Sequence, residues 1–331
     1  FDDRIDVLFP SEPVTNKESM KNLIDRVQSR GSTALHEAWV RGGLTISEQL
    51  LDKGINPVLL ITDGLANVGI TNSDEIVSQA MELYKRGVST STIGIGDDFN
   101  EDLLLQMAQG GGGNAWHVAE PDDMQRIFQI ELDGLVAQFA HTVSLSLIPA
   151  DGVSIVGVLN DFELTDTGRY RLPNLLAGSP LEIVVQLKVG PHKIGSILRL
   201  LDLRLGFTPQ SAKSAESFKS NHSVEFVDAA TWDNLSVNSD VVKAVQFLMN
   251  ARARREAMAE IDAGDYTAAI GVLSRSIVDT QAACAAFLST DAVAEECAAL
   301  AEVKMSLTDR LKDKMSRKKL AYGAYSRRTG R

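Results

Sequence analysis

The sequence predicts an α/β fold: a doubly wound, mostly parallel sheet, then an antiparallel β-sandwich-like region, then a C-terminal helical hairpin or bundle. Three observations carry this. Strand and helix patterns alternate over residues 1–140, the mark of βα units with helices on both faces of a parallel sheet. From His141 period-two alternation takes over, with turn residues between runs. From Ser239 the chain turns helical again, with no Gly or Pro from Asp240 to Ala263. The expected parts are 1–140, 141–235 and 236–331.

In order, Ile5, Val7 and Phe9 alternate with Arg4, Asp6 and Leu8, predicting a short strand stopped by Pro10. Thr15 and Glu18 read as a capping box for a helix bearing Met20, Leu23, Ile24 and Val27. A second helix is expected from Thr33 or Ala34 towards Lys53. The apolar run from Pro57 to Thr62 predicts a central strand covered on both faces. Ile76, Ala80, Leu83 and Tyr84 form a helix stripe ending at Gly87, and Val88 to Ile95 is β-rich. Asn100 caps a helix with Leu103, Leu104 and Met107. Ala115 to Val118 is a strand, and Pro121 opens a last helix carrying Met124, Ile127, Phe128, Leu132 and Phe139.

Val143, Leu145 and Leu147 then mark a half-exposed strand, with further strand runs at 153–159, 181–189 and 196–205. Residues 208–223, rich in Ser, Lys and Ala, predict a mobile loop. Helices are expected from Asp240 to Ala263, from Thr267 to Leu288, and from a cap at Thr290 or Asp291 towards residue 320. Gly264-Asp265-Tyr266 forms the turn between the first two.

The 331 residues suffice for two or three domains with real cores, and no apolar stretch approaches membrane-spanning length. Phe1 is followed by no charged-then-apolar leader. Cys284 and Cys297 lack metal-type spacing; two thiols in a reducing, cytoplasmic compartment and a single disulfide are the two readings. The net charge of −11 argues against a nucleic-acid surface. It is uneven: residues 309–331 hold nine Lys/Arg against two acids. That basic tail is read either as the solvated end of a helix or as a contact for an acidic surface.

Two loops of the α/β part could carry chemistry. Thr62-Asp63-Gly64 ends a buried strand, and Gly31-Ser32-Thr33-Ala34-Leu35 lies between helices. In open α/β sheets sites form beyond the carboxyl ends of strands. A carboxylate and a hydroxyl meeting there are hard oxygen ligands suited to Mg²⁺, Mn²⁺ or Ca²⁺. The plainer readings are Asp63 as a turn former before Gly64, Thr33 as a helix N-cap, and His36 as a packing residue. Gly110 to Gly113 follows a helix and precedes a strand, the reverse of a phosphate loop, and reads as a helix stop. Trp116 and His117 read as strand residues near a sheet edge.

Taken consecutively, Phe-Asp-Asp-Arg-Ile-Asp-Val-Leu-Phe-Pro (1–10), Gly-Ser-Thr-Ala-Leu-His-Glu-Ala-Trp (31–39) and Leu-Ile-Thr-Asp-Gly-Leu-Ala-Asn-Val-Gly (60–69) resemble a bacterial von Willebrand factor A (VWA) domain. The resemblance covers 1–140 well and 141–325 loosely. It implies a Rossmann-like sheet and a metal-ion-dependent adhesion site, with Thr33 and Asp63 as two of its ligands. It also implies a non-enzymatic binding role, in which a partner protein's Asp or Glu carboxylate completes the coordination of Mg²⁺ or a similar ion. The family's Asp-x-Ser-x-Ser loop occurs nowhere in the chain. The resemblance therefore implies a sheet lacking its first strand, N-terminal truncation, and an incomplete site that binds metal weakly or not at all. Two other functions stand beside this one: a metal-free scaffold within an assembly, and an enzyme on a doubly wound sheet. For the enzyme there is no Gly-x-Ser-x-Gly elbow, dinucleotide fingerprint or Walker loop.

Overall fold

A computed structural model describes the chain except residues 29–30, 52–55, 121–122, 213, 286–290, 309–312 and 331. The chain divides into two compact units, Phe1–Val136 and Ala137–Arg331. The β-rich and helical regions, expected as separate parts, therefore cluster together as one unit.

The first unit contains α1 (Lys17–Ile24), α2 (Leu35–Ser47), β1 (Pro57–Thr62), α3 (Ser73–Lys85), β2 (Ser89–Ile95), α4 (Glu101–Gly110), β3 (Gly112–Val118) and α5 (Asp123–Ala137). Its strands form a parallel sheet in the order β1-β2-β3, with Leu60 opposite Thr92 and Ile93 opposite Trp116. Strand alternation gives the sheet two faces. On one, Leu59, Ile61, Ile93 and Ile95 pack with Ile127 and Met124 of α5. On the other, the Trp39 indole of α2 donates to Thr90 Oγ1 at 3.0 Å, and Thr92 Oγ1 donates to the Leu104 carbonyl of α4 at 2.9 Å. Helices on both faces make this the expected doubly wound α/β architecture.

Several elements differ from expectation. Ile5 to Phe9 is not a strand; no neighbouring strand supplies a ladder, and Val7 and Leu8 stay exposed. Helix α1 is capped by Asn16, whose Oδ1 accepts from Ser19 N at 3.1 Å, so the Thr15 box is not formed. None of its residues is buried. Asn100 caps α4 as expected, accepting from Leu103 N at 3.0 Å. The glycine run serves close packing: a Cβ on Gly113 would sit 2.2 Å from the Thr90 carbonyl oxygen, so β3 can lie against β2 only without one. The helix expected to run towards Lys53 ends at Ser47, with Glu48 as its C-cap, and the expected first-turn Pro121 lies outside the described residues. Phe139 belongs not to α5 but to the strand that follows.

The second unit begins with β4 (Gln138–Pro149), β5 (Val153–Val158), β6 (Tyr170–Arg171), β7 (Leu175–Leu176), β8 (Val185–Val189), β9 (Ile197–Pro209) and β10 (Glu216–Glu225). One antiparallel sheet runs β10-β9-β4-β6, with β7 also on β4, and β5 pairs with β8. Val143, Leu145 and Leu172 form its core with Leu203, Leu205 and Phe207. The loop expected at 208–223 is instead the end of β9 and most of β10. This strand pairs with β9 alone and is exposed at every residue but Ser220, so neither face demands the apolar alternation that reveals a strand.

Then follow α6 (Ala229–Asp233), α7 (Ser239–Asp262), α8 (Tyr266–Cys284), α9 (Asp291–Thr308) and α10 (Asp313–Thr329). Gly264 turns the chain at φ +80° and Asp265 caps α8. The single helix expected up to residue 320 is two, α9 and α10. Ala257, Ile261, Ala269, Leu273, Leu300, Leu307 and Leu320 knit α7 to α10 into one core. Cys284 and Cys297 are free thiols. The basic tail is no solvated end: Leu320, Ala321 and Tyr325 are buried, Arg317 pairs with Asp262, Lys319 with Glu302, and Arg327 with Glu296. Arg317, Lys319 and Arg327 thus meet acids of their own chain.

Candidate functional site

The site is built from the carboxyl end of β1 and the loop before α2. Thr62 is buried, and its hydroxyl closes a tight turn: Gly64 N–H donates to Thr62 Oγ1 at 3.2 Å, and that hydroxyl donates to the Gly64 carbonyl at 3.1 Å. The turn directs Asp63 into solvent, where it is exposed. Turn formation, one reading of Asp63, thus falls to Thr62. Among the described residues no hydrogen bond or ion pair engages the Asp63 carboxylate.

Thr33 comes to the same place. A Cβ at Gly64 would lie 3.0 Å from Thr33 Oγ1, so the hydroxyl rests directly over the Gly64 backbone. The loop is pinned by Asn67: its Oδ1 accepts from Thr33 N at 2.8 Å, and its N–H donates to the Thr33 carbonyl at 3.2 Å. Val68 N–H donates to the same carbonyl at 3.3 Å. On the other side Ala34 N–H donates to the Asp2 carbonyl at 2.6 Å. Thr33 is half-buried and is not a helix cap; Ala34 stands at that position and makes no side-chain cap.

The two residues singled out from the sequence are therefore neighbours, and three supporting ones were missed. Asn67 lies within a segment quoted for the resemblance, yet nothing in its type reveals a bond to a residue 34 positions away. Gly64 is needed because any side chain presses on the Thr33 hydroxyl. Asp2 is buried and turned onto its own backbone, its Oδ1 accepting from Arg4 N at 2.8 Å. His36 bonds Gln79 at 2.8 Å and tilts against Trp39, a packing role.

The arrangement offers one free carboxylate and one hydroxyl oxygen, both hard donors suited to a small divalent cation. Among the described residues no group of three or more His, Cys, Asp or Glu converges to hold a metal. Two protein oxygens fit such an ion but leave most of an octahedral shell to be filled from elsewhere. A second polar cluster lies under α5. The buried Glu131 carboxyl accepts from Ser91 Oγ, from Asn114 Nδ2 at 3.0 Å and from Trp116 Nε1 at 2.7 Å. All of its named partners are internal, so it locks α5 to the sheet.

Known proteins match the chain in sequence and in fold. The model of the von Willebrand factor type A domain matches residues 1–130. The uncharacterized protein YfbK of Escherichia coli K12 is 29% identical over 147 residues, 43% of this chain and 25% of that protein. Inter-alpha-trypsin inhibitor heavy chain H2 of Sus scrofa is 26% identical over 186 residues, 54% of this chain and 18% of that one. The chain thus spans a quarter or less of the length of these relatives. Among solved structures, a von Willebrand factor type A protein from Catenulispora acidiphila superposes with a TM-score of 0.60 at 18% identity, covering 88% of this chain and 66% of that one. That likeness shows the fold, including antiparallel sheets and a helical C-terminal region. Residues 1–130 thus match the von Willebrand factor type A domain, and the solved neighbour shares the fold.

Proposed function

We propose that the chain is a non-enzymatic protein-binding module whose contact face centres on Asp63 and Thr33, with Mg²⁺ or a similar divalent ion between it and a partner's Asp or Glu carboxylate. The observation that carries this reading is the placement of Thr33 Oγ1 over Gly64, beside an exposed Asp63 carboxylate. VWA homologues are typically interaction modules, which supports the class of function. Asp63 and Thr33 would hold the ion, and the ion would supply positive charge that a carboxylate on the partner satisfies. With so few protein ligands the affinity of this chain for metal is weak, and the partner's carboxylate contributes much of the binding.

No helix of the described residues is long and apolar enough to cross a membrane. The acidic balance of the chain disfavours nucleic acid as the partner. A second reading, a metal-free scaffold, is favoured by the lack of a three-residue ligand cluster among the described residues.

Calorimetric titration of Mg²⁺ and Mn²⁺ separates the two. The metal reading expects weak, saturable binding that disappears in Asp63→Ala and falls in Thr33→Ala. Heats indistinguishable from dilution in both the native chain and Asp63→Ala would leave the scaffold reading in its place.

A further inference from the structure

From the chain after β10 into the first turn of α7, every residue from Asp228 to Val241 is exposed. Exposed segments are normally polar, and single exposed apolar residues need no explanation. Here four fall within ten positions: Trp232, Leu235, Val237 and Val241, exposed by 69%, 56%, 64% and 55%.

The segment is nonetheless ordered by its own hydrogen bonds. Asp228 Oδ1 accepts from Thr231 N at 2.7 Å, Asn234 Nδ2 donates to the Ala230 carbonyl at 2.7 Å, and Leu235 N–H donates to the Trp232 carbonyl at 3.0 Å. Asn238 Oδ1 then accepts from Asp240 N at 2.9 Å to open α7. The backbone that carries the apolar side chains is thus ordered before binding, which lowers the entropy lost on binding. Tryptophan is among the residues that dominate interface energies.

Along the chain the charge beside them has one sign. Glu225, Asp228, Asp233 and Asp240 lie in or beside the segment, and no Lys or Arg occurs between Lys219 and Lys243. An apolar ridge with an acidic rim complements an apolar stripe with a cationic rim. It repels nucleic acid and anionic lipid. An amphipathic helix carrying Lys or Arg beside its apolar face has that chemistry.

We propose that Asp228–Val241 is a docking surface for a cationic amphipathic helix of a partner protein, independent of the Asp63 site. The test uses the full chain and two designed helical peptides, one of Leu and Lys and one of Leu and Glu, at physiological salt. Trp232 serves as the reporter, because Trp39 is buried and Trp116 is bonded to Glu131. Saturable binding of the Leu/Lys peptide with a blue shift of Trp232 emission is expected, and none with the Leu/Glu peptide.

By fluorescence anisotropy of labelled peptide, Trp232→Ser with Leu235→Ser is expected to weaken binding about tenfold, as for an interface hot spot. Asp233→Lys with Asp240→Lys is expected to weaken it comparably. Glu37→Lys with Glu48→Lys, which makes the net charge less negative by the same amount at exposed positions elsewhere, leaves affinity unchanged. Circular dichroism confirms that each variant folds. Equal binding of both peptides, or affinity indifferent to the Trp232 and Leu235 changes, would overturn the proposal. So would a Trp232 blue shift produced by zwitterionic vesicles and not by the Leu/Lys peptide.

Discussion

Glu296→Gln perturbs the most deeply buried charge of the helical region. Glu296 is 1% exposed and holds two guanidinium groups: Arg254, itself 5% exposed, at 2.6 Å, and Arg327 at 2.8 Å. Burial pushes the Glu296 carboxyl up, but the Arg254 hydrogen bond and the charges of both arginines outweigh it and hold the carboxyl below its ordinary value. Glutamine keeps the shape and one acceptor oxygen but leaves the Arg254 charge buried without a counter-charge. Breaking a buried pair in this way costs about 3–5 kcal/mol, and the retained hydrogen bond places Glu296→Gln near about 3 kcal/mol. The Arg327 arm is partly solvated and also lies over the Phe247 ring at 4.4 Å, so removing it alone costs about 1 kcal/mol. For a unit of this size, about 3 kcal/mol lowers the melting temperature by roughly 6–12 °C.

The assay is thermal and urea unfolding by circular dichroism, with hydrogen exchange at amides of α7 and α9, because two units need not unfold in one step. The pH dependence follows from the depressed carboxyl. Its stabilisation is fully present above the ordinary carboxylate range and is lost as pH falls through the lower folded value. The deficit of Glu296→Gln is therefore largest near neutrality and shrinks in acid. The double change Arg254→Met with Glu296→Leu removes both charges and recovers most of the loss. A deficit under about 1 kcal/mol, a deficit unchanged by acid, or a double variant no better than the single would each refute the reasoning.

Gly64→Ala places a Cβ against the Thr33 hydroxyl and is expected to weaken Mn²⁺ binding in calorimetry while barely moving the melting curve. Glu131→Leu strands the Ser91, Asn114 and Trp116 donors and costs about 2–4 kcal/mol of stability, measured by urea denaturation. The Cys297 thiol is pushed up by burial and by the Glu296 charge, and Cys284 is buried, so both react slowly with a thiol reagent at neutral pH and quickly in denaturant. The first unit leaves Leu23, Ile24 and Val27 exposed on and after α1, and β1 ends its sheet. Light scattering is expected to show self-association rising with concentration, reduced by Ile24→Lys with Val27→Lys.

Much of the fold was legible because local pattern and tertiary position agree. The apolar run Pro57–Thr62 is a strand covered on both faces, though at the edge of its sheet and not the centre expected; Asn100 caps α4, and Val143 and Leu145 face a core. Asp63 could be located from the sequence because a carboxylate at the end of such a strand must emerge at the sheet's carboxyl edge. Pairing it with Thr33 came through the family resemblance, and the fold brings Thr33 Oγ1 over Gly64. The reach of Asn67 back to Thr33 depends on how two loops cross, which neither loop encodes alone. Ile5–Phe9 and Glu216–Glu225 erred in opposite directions for one reason: a strand is defined by its neighbour's hydrogen bonds. The first run has the alternation without a ladder, and the second has the ladder without alternation. The basic tail followed the same rule. Its charge was plain in the sequence, but Asp262, Glu296 and Glu302, the acids that receive it, are remote in the chain, and only the packing of α10 brings them within reach.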